Sequence, residues 1–239
     1  MFSLPTAAAR HVQVLRMQPG DPLSLFDGSG AEWAARIVRI GRSDVEVTTS
    51  TEVQALPEPR CAVTLAVGMP TNERMDWLVE KATELGVSRL QPLVCERSVL
   101  RVQGDRAAKK TAHWQAVAVA ASEQCGRASV PVVASVQGLQ AWLSGLPSQR
   151  PGDAPSEVDW RGVLSLTGAR PIGLVLAAKA LPLRATFLSG PEGGLSAAED
   201  AAAIAAGFVP LSLGDRTLRA DTAPLAAMSW IELTDASDR

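Results

Sequence analysis

The sequence contains few of the side chains that enzymes commonly use as nucleophiles, bases or metal ligands. Its 239 residues include two histidines and three cysteines. Cys61, Cys95 and Cys125 lie far apart, without a C-x-x-C pair or a histidine at ligand spacing, which disfavours a structural zinc site. His11 and His113 stand beside no serine or cysteine nucleophile motif. We therefore expect no metal and no mechanism that depends on a histidine base.

Long apolar runs and a strong net charge are also missing. No uninterrupted apolar stretch reaches the roughly eighteen residues of a membrane span, and the N-terminus lacks the basic-then-apolar order of a signal peptide. These absences predict a soluble, cytoplasmic protein. The formal net charge of −2 offers no general argument for nucleic-acid binding, while 46% apolar residues are enough for a sizeable core.

The first part of the chain predicts a small β domain over residues 1–58. Short alternating apolar runs between residues 10 and 51 are separated by the turn clusters QPGDP, DGSG and GRSD. This pattern is typical of a small antiparallel barrel or sheet, with Asp27 and Gly28 forming a hairpin turn. The proline-flanked stretch ALPEPR then predicts a linker.

The rest of the chain, residues 62–239, predicts an α/β domain. Apolar runs of strand length, such as CAVTLAVG, alternate with stretches of helical periodicity, such as TNERMDWLVEKATELGV. This alternation predicts a parallel sheet with helices on both faces. IGLVLA is interpreted as one of the strands, and the Pro-, Gly- and Ser-rich stretch LPSQRPGDAPSEVDWRG as a surface loop.

A glycine-rich loop follows one predicted strand in FLSGPEGGLSAAED, residues 187–200. Ser196 and Glu199 form a capping box, which places the start of a helix directly after the loop. The loop matches no dinucleotide or P-loop pattern and no lysine follows it, so phosphate binding is disfavoured. Because Glu192 stands within the loop, we expect a neutral or cationic ligand there rather than an anion.

A second glycine turn follows the next predicted strand in LSLGDRTLRADTAPLAAMSW. The strand is expected to end at Leu213 and the last helix to begin near Asp221, where both Asp221 and Thr222 suit a helix cap. Arg219 lies between the turn and this cap, at the sheet edge that normally presents ligands. Two such turns after successive strands predict one shared crevice.

A third stretch, SEQCGRASVPVV, ends a predicted helix just before a strand. Gly126 suits the C-cap, and Glu123 and Arg127 flank it. Arg127 can either satisfy the C-terminus of this helix or bind an anionic partner.

These stretches, in this order, resemble the bacterial 16S ribosomal RNA methyltransferases that modify N3 of a uridine in the decoding region, a family of the SPOUT superfamily. VLRMQPGDPLSLFDGSG is similar to the family's N-terminal RNA-binding barrel, and VEKATELGVSRLQPLVCERS to its first helix and strand. EQCGR matches its central signature, and GPEGGLSAAE and LGDRTLRADTA match its two ligand loops. The resemblance covers residues 10 to 230.

The resemblance implies a SPOUT methyltransferase domain with a C-terminal deep trefoil knot, preceded by a PUA-like β-barrel domain. The cofactor would be S-adenosylmethionine, and the partners would be the 16S rRNA of the small ribosomal subunit and a second copy of the chain in a homodimer. By motif position, the cofactor-binding residues would include Leu176 at a strand end, Gly190, Pro191, Glu192, Gly193, Gly194, Leu211, Leu213, Gly214, Leu218, Arg219 and Thr222.

The chemistry of N3 methylation, together with the resemblance, suggests catalytic roles for Arg219, Glu123 and Asp221. Neutral uridine carries a proton on N3, so an enzyme must stabilise the developing anion or supply a base. Arg219 is the expected stabilising residue, and Glu123 or Asp221 the expected proton acceptor. The family commonly has glutamate where this chain has Asp221 in LRADTA, which favours a capping task for Asp221. The residues expected to contact RNA phosphates are Arg10, Arg16, Arg97, Arg101 and Arg127.

Two other functions stay open at this level. One is a SPOUT methyltransferase that acts on another RNA nucleotide or on ribose. The other is a non-catalytic RNA-binding factor in ribosome assembly that uses only the barrel. A nucleotide-binding oxidoreductase is disfavoured because the dinucleotide fingerprint is missing.

Overall fold

The computed structural model describes residues 1–147, 159–176 and 181–236, which divide into two compact units. The first unit comprises Met1–Pro57 and Gly126–Val130, and the second comprises Glu58–Cys125 and Pro131–Arg239. The sequence predicted a boundary between residues 58 and 62. The sequence did not predict that Gly126–Val130, the short segment after helix residue Cys125, belongs to the N-terminal unit.

The first unit is an antiparallel sheet of four strands with one helix packed on it. The strand order is β1-β4-β3-β2. Val45 and Val47 at the start of β4 are buried and Glu46 between them is not, because successive side chains of a strand point to opposite faces. The helix, which the sequence did not predict, contributes Ala9 and Val12 to the core. The elements are β1 (Phe2–Ser3), α1 (Thr6–Val14), β2 (Pro22–Phe26), β3 (Glu32–Ile40) and β4 (Val45–Val53).

The predicted hairpin turn at Asp27 and Gly28 is confirmed between the paired strands β2 and β3. Gly28 has a φ of 87°, a conformation that glycine adopts without steric cost. The backbone N–H and the hydroxyl of Ser29 donate to Asp27 Oδ1 at 2.8 and 2.6 Å, and these bonds lower the pKa of Asp27. The turn is therefore held by its own side chains.

The second unit is built on a parallel sheet, as the sequence predicted. Its strand order is β10-β12-β9-β11-β5-β6-β7, and β8 also pairs with β6. The strands are β5 (Ala62–Gly68), β6 (Arg89–Val94), β7 (Val132–Val133), β8 (Gln137–Gly138), β9 (Asp159–Leu164), β10 (Arg170–Pro171), β11 (Arg184–Ser189) and β12 (Val209–Ser212). The helices are α2 (Asn72–Glu84), α3 (Gly104–Cys125), α4 (Leu139–Ser144), α5 (Ile172–Leu176), α6 (Ala197–Ala205) and α7 (Thr222–Ala236).

Helices cover both faces of this sheet. Ala66, Val163 and Leu188 pack in one core cluster with residues of α4 and α6. Because side chains alternate along a strand, the neighbouring Phe187 points to the other face, where its ring meets Trp160 edge-on at 5.5 Å. Helix α7 packs against β5, β11 and α2, so the predicted two-sided arrangement is confirmed.

Two predictions of secondary structure were wrong. The stretch DWRGVL, assigned in part to a surface loop, is β9, which lies between β11 and β12 in the interior of the sheet. Its charged Arg161 is accommodated because the guanidinium donates to the carbonyl oxygens of Ala206 and Pro147, both at 2.9 Å. The remainder of that predicted loop, residues 148–158, lies outside the described residues. IGLVLA is not a strand either: it contains helix α5, so Leu176 ends a helix.

The trefoil knot implied by the resemblance stays a prediction. Within the described parts of the chain, no helix is both long and apolar enough to cross a membrane.

Candidate functional site

A pocket of about 460 Å³ opens at the carboxyl ends of strands β9, β11 and β12. Residues 164–166 at the end of β9, 189–194 after β11, and 211–214 and 216–220 around the end of β12 all contribute to its wall, and Arg74 and Ala223 complete it. Carboxyl ends of parallel strands meet at one sheet edge, which is why loops distant in sequence share this cavity. The crevice predicted from the two glycine turns is therefore present.

The glycine loop after β11 is too tightly folded to carry side chains at two of its positions. A Cβ atom on Gly190 would lie 2.6 Å from the backbone nitrogen of Leu195. Gly194 has a φ of 69°, and its N–H donates to the carbonyl of Pro191 at 2.8 Å. Pro191 in turn packs over Gly68 at the end of β5, where a Cβ would lie 2.5 Å from Pro191 Cδ. The loop thus presents backbone rather than side chains to the pocket.

Two side chains outside the pocket hold this loop in place. Arg97 Nη1 donates to the carbonyls of Gly193 at 3.0 Å and Leu195 at 3.3 Å. Glu199 accepts from the backbone N–H groups of Ser196 at 2.9 Å and Glu96 at 2.8 Å, so it ties the start of α6 to the segment after β6. The capping box predicted for Ser196 and Glu199 is confirmed.

Glu192, which lines the pocket, also contacts the start of helix α2. Its Oε1 accepts from the backbone N–H of Thr71, the N-cap residue of α2, at 3.0 Å. A helix N-terminus attracts carboxylates because of its unpaired N–H groups and its dipole. The structure thus adds to Glu192 a contact with α2 that the sequence did not predict.

The loop between β12 and α7 places Arg219 at the pocket and Asp221 beside it. The carbonyl of Arg219 accepts from the N–H groups of Thr222 and Ala223, both at 3.0 Å, and so provides the cap that the sequence assigned to Asp221 or Thr222. Pro224 has no N–H to offer to a capping carboxylate. Asp221 is buried, and among the described residues its Oδ1 has no hydrogen-bond partner.

Hydroxyl and carboxylate groups with unused hydrogen-bonding capacity lie at the strand ends. Ser189 lines the pocket and is 3% exposed, yet its Oγ has no partner within the described part of the chain. Ser165, also in the wall, donates from Oγ to Asp200 Oδ2 at 2.9 Å. A buried polar group without a partner is costly unless a ligand or water satisfies it.

A cysteine nucleophile at this edge is disfavoured. Cys95 is the cysteine nearest to the glycine loop, with its Sγ 2.9 Å from where a Cβ on Gly68 would lie. Burial, followed by the nearby charge of Glu199, raises the pKa of the Cys95 thiol to about 12. The thiol is therefore neutral near pH 7. Among the described residues, no group of three or more His, Cys, Asp or Glu side chains could hold a metal ion.

Ten of the twelve predicted cofactor residues line the pocket, and two do not. Leu176 is buried at the end of α5, and Thr222 is an exposed residue at the start of α7. Of the two candidate proton acceptors, Asp221 adjoins the pocket-lining Ala220, whereas Glu123 lies in the last turn of α3 and does not line the pocket. The ten lining residues are Gly190, Pro191, Glu192, Gly193, Gly194, Leu211, Leu213, Gly214, Leu218 and Arg219.

Two charged pocket residues, Arg74 and Arg216, are among the lining residues that the sequence did not predict. Arg74 stands in the first turn of α2, and Arg216 lies three residues before Arg219 in its loop. A signal for Arg216 existed in its position between the glycine turn and Arg219. No comparable signal existed for Arg74, because the predicted loops do not include the start of α2.

The five arginines predicted to contact RNA have different environments. Arg10 and Arg16 are exposed in the N-terminal unit. Arg97 and Arg101 are exposed but donate to backbone carbonyls: Arg97 to the glycine loop, and Arg101 to Ser98 and Glu96. Arg127 is buried, which favours the structural alternative for that residue. RNA contact by these residues stays a prediction.

Replacing Arg97 by alanine is expected to loosen the glycine loop. The affinity of the pocket for S-adenosylmethionine, the cofactor implied by the resemblance, should fall by about tenfold. Each lost charge-assisted hydrogen bond is worth about 1.5–3 kcal/mol, part of which water recovers at this exposed site. Titration calorimetry on the variant measures the change. Arg106→Ala, which removes an exposed arginine of α3 away from the loop, is the control. Equal affinities in the two variants would contradict the supporting role of Arg97.

Comparison with known proteins yields two matching family models. A model described as an RNA methyltransferase domain matches residues 57–232, and one described as an RNA methyltransferase PUA domain matches residues 4–50. The two matches correspond in order to the α/β unit and to the N-terminal sheet unit.

Relatives of known name cover nearly the whole chain. Ribosomal RNA small subunit methyltransferase E of Synechocystis sp. is 33% identical over 231 residues, 96% of this chain and 72% of the relative. The protein of the same name in Bacillus subtilis is 31% identical over 242 residues, 96% and 89% of the two chains. The crystal structure of the Neisseria gonorrhoeae protein of that name, bound to S-adenosyl methionine, is similar with a TM-score of 0.86, 33% identity, and coverage of 98% and 91%.

Proposed function

The chain belongs to the family of RNA methyltransferases that carry an N-terminal PUA domain, and on this premise we propose that it methylates N3 of a uridine in the decoding region of 16S rRNA. It is an RNA methyltransferase that uses S-adenosylmethionine, as the sequence predicted. The α/β fold class and the PUA-like N-terminal domain are likewise confirmed. The single observation that carries the proposal is the glycine-walled pocket with Arg219 at its edge.

The pocket fits S-adenosylmethionine in size and chemistry. Its volume lies within the range of about 300–1,000 Å³ that small-molecule sites occupy. The tight glycine loop exposes backbone groups that can hydrogen-bond to an adenine. The buried Ser189 hydroxyl, which has no partner among the described residues, offers one further hydrogen bond. We propose that the ten pocket-lining residues named above hold the cofactor. Leu176 and Thr222 do not line the pocket, and contact of these two residues with the cofactor stays a prediction.

The chain's own residues have to handle the proton and the charge of the uracil ring. When bound, S-adenosylmethionine supplies a methyl group already activated by its sulfonium. Arg219 would orient the uracil and stabilise the negative charge that develops on its carbonyl oxygens when N3 loses its proton. Neither candidate acceptor lines the pocket, but Asp221 directly follows the lining residue Ala220, and among the described residues its buried Oδ1 has no hydrogen-bond partner, so Asp221 is the better placed of the two.

The experiment that tests this function combines gene deletion with reconstitution. We expect the deletion strain to lose N3-methyluridine from its small-subunit RNA, as detected by mass spectrometry of mapped fragments. Purified protein and S-adenosylmethionine should restore the mark on either naked RNA or isolated small subunits, which identifies the substrate form. A mark that persists in the deletion strain would refute the assignment. Failure of the protein to bind S-adenosylmethionine would favour a non-catalytic RNA-binding factor.

The RNA partner is the small-subunit rRNA, and we propose that the chain binds it as a homodimer. An exposed apolar patch formed by α5 and α7 supports this. Leu174 and Leu233 are 68% and 70% exposed, and Trp230 of α7 reaches α5, with its Nε1 3.9 Å from where a Cβ on Gly173 would lie. The opposite side of α7 is already packed in the core of the unit. A helix that is apolar on both sides needs a second partner.

Leu233→Lys is expected to convert the dimer to a monomer, because it places a charge in this apolar patch. Sedimentation velocity measures the change. Leu183→Lys is the matched control, since Leu183 is 60% exposed at the start of β11, outside the α5–α7 patch. A wild-type protein that sediments as a monomer while fully active would contradict the dimer.

A further inference from the structure

The pocket wall carries more positive charge than the proposed mechanism uses. Three arginines, Arg74, Arg216 and Arg219, contribute to it. Glu192 is the one carboxylate residue among the described lining residues, and its Oε1 is bonded to the N–H of Thr71. The three arginines can therefore bind an anionic group of a ligand, in addition to the cationic groups of the cofactor that the pocket has to hold.

Arg74 differs from the other two arginines in how it is held. It is half-buried, whereas Arg216 and Arg219 are exposed. Its neighbour Met75 is fully buried, and the Arg74 N–H donates to the carbonyl of Thr71 at 3.0 Å, so its backbone is fixed in the first turn of α2. Within the described part of the chain, its guanidinium makes no hydrogen bond or ion pair. A half-enclosed cation without a partner at a pocket wall indicates a site for a ligand's anion.

We propose that Arg74 binds the carboxylate of the amino-acid end of S-adenosylmethionine. The proposal rests on the function proposed above and names a contact of that same pocket. The cofactor has one carboxylate, and the planar guanidinium of arginine matches a carboxylate with two parallel hydrogen bonds. Arg219 already has a role at the uracil in the proposed mechanism, and Arg216 is exposed, so Arg216 is the more accessible of the remaining two arginines to a phosphate of a bound RNA. Arg74, the least exposed of the three arginines, is therefore the one we assign to the cofactor.

The test compares two ligands that differ only in the proposed contact. Titration calorimetry without RNA measures S-adenosylmethionine and decarboxylated S-adenosylmethionine on the wild type, Arg74→Ala, Arg74→Lys and the control Arg106→Ala. We expect the wild type and Arg106→Ala to bind the complete cofactor about ten- to a hundredfold more tightly than the decarboxylated one. Arg74→Ala should lose this preference while binding the decarboxylated ligand as the wild type does, and Arg74→Lys should restore part of it.

Other outcomes would overturn the assignment in distinguishable ways. Equal weakening of both ligands in Arg74→Ala would assign Arg74 to the shape of the pocket. An unchanged preference, together with weaker and less salt-dependent RNA binding, would assign it to an RNA phosphate. If the wild type bound neither ligand, the proposed function itself would fail.

Discussion

Replacing Arg219 by alanine is expected to lower kcat for methyl transfer by about 100- to 1,000-fold while leaving the fold intact. Removing one electrostatic stabiliser of a developing anion typically has an effect of this size. The fold should persist because the side chain is exposed, and the contact that begins α7 is made by the backbone carbonyl of Arg219, which alanine retains. Single-turnover kinetics with small-subunit RNA measure the rate, and thermal unfolding measures the stability.

The matched control for this variant is Arg216→Ala. It removes the same charge from the same pocket-lining loop, three residues earlier. We expect Arg216→Ala to raise KM for RNA with little change in kcat, because it removes a charge that contacts substrate equally in the ground state and the transition state. If both variants lose only RNA affinity, Arg219 contributes charge to binding and not to the chemical step.

Gly190→Ala is expected to weaken S-adenosylmethionine binding by about ten- to a hundredfold and to lower the free energy of unfolding by about 1–3 kcal/mol. The added methyl would lie 2.6 Å from the Leu195 nitrogen and 2.7 Å from the Gly194 carbonyl carbon, both in the backbone. Neither atom can turn aside as a side chain would, so the loop must open. Calorimetry and urea denaturation measure the two effects.

Gly145→Ala controls for the general effect of adding a methyl group. Gly145 lies in the right-handed helical region at the end of α4, and its nearest contact for a Cβ is 3.5 Å. This variant should keep wild-type affinity and stability. Cofactor binding by Gly190→Ala at the wild-type level would mean that the loop can relax without changing the pocket, and that the glycine is not required there.

Local sequence chemistry predicted the parts of the site that depend on the chain's immediate neighbours. The capping box at Ser196, the glycine turn before it and the start of the last helix each follow from preferences that act within a few residues. The order of strand and helix similarly predicted a parallel sheet, and a parallel sheet brings its loops to one edge. These features explain why ten of the twelve predicted cofactor residues line one pocket.

Features that depend on contacts between residues far apart in the sequence could not be predicted from local patterns. DWRGVL was predicted in part as a surface loop. In the structure Arg161 donates to the carbonyls of Pro147 and Ala206, and these bonds allow a charged residue in an interior strand. The contact between Glu192 and the N–H of Thr71 joins residues 121 positions apart in the sequence, so local patterns do not predict it. Asp221 resembles a helix cap until the carbonyl of Arg219 is found in that role.

The sequence by itself determined the fold class, the two glycine turns, the family and, through the family, the methyl donor. These depend on periodicity and on ordered motifs, which a linear chain displays directly. Only the tertiary structure decided the charge of the pocket, the support of its loop by Arg97 and the place of Arg74 in its wall. The physical reason is that the electrostatic character of a group depends on which partners satisfy it, and those partners come from segments that only folding brings together.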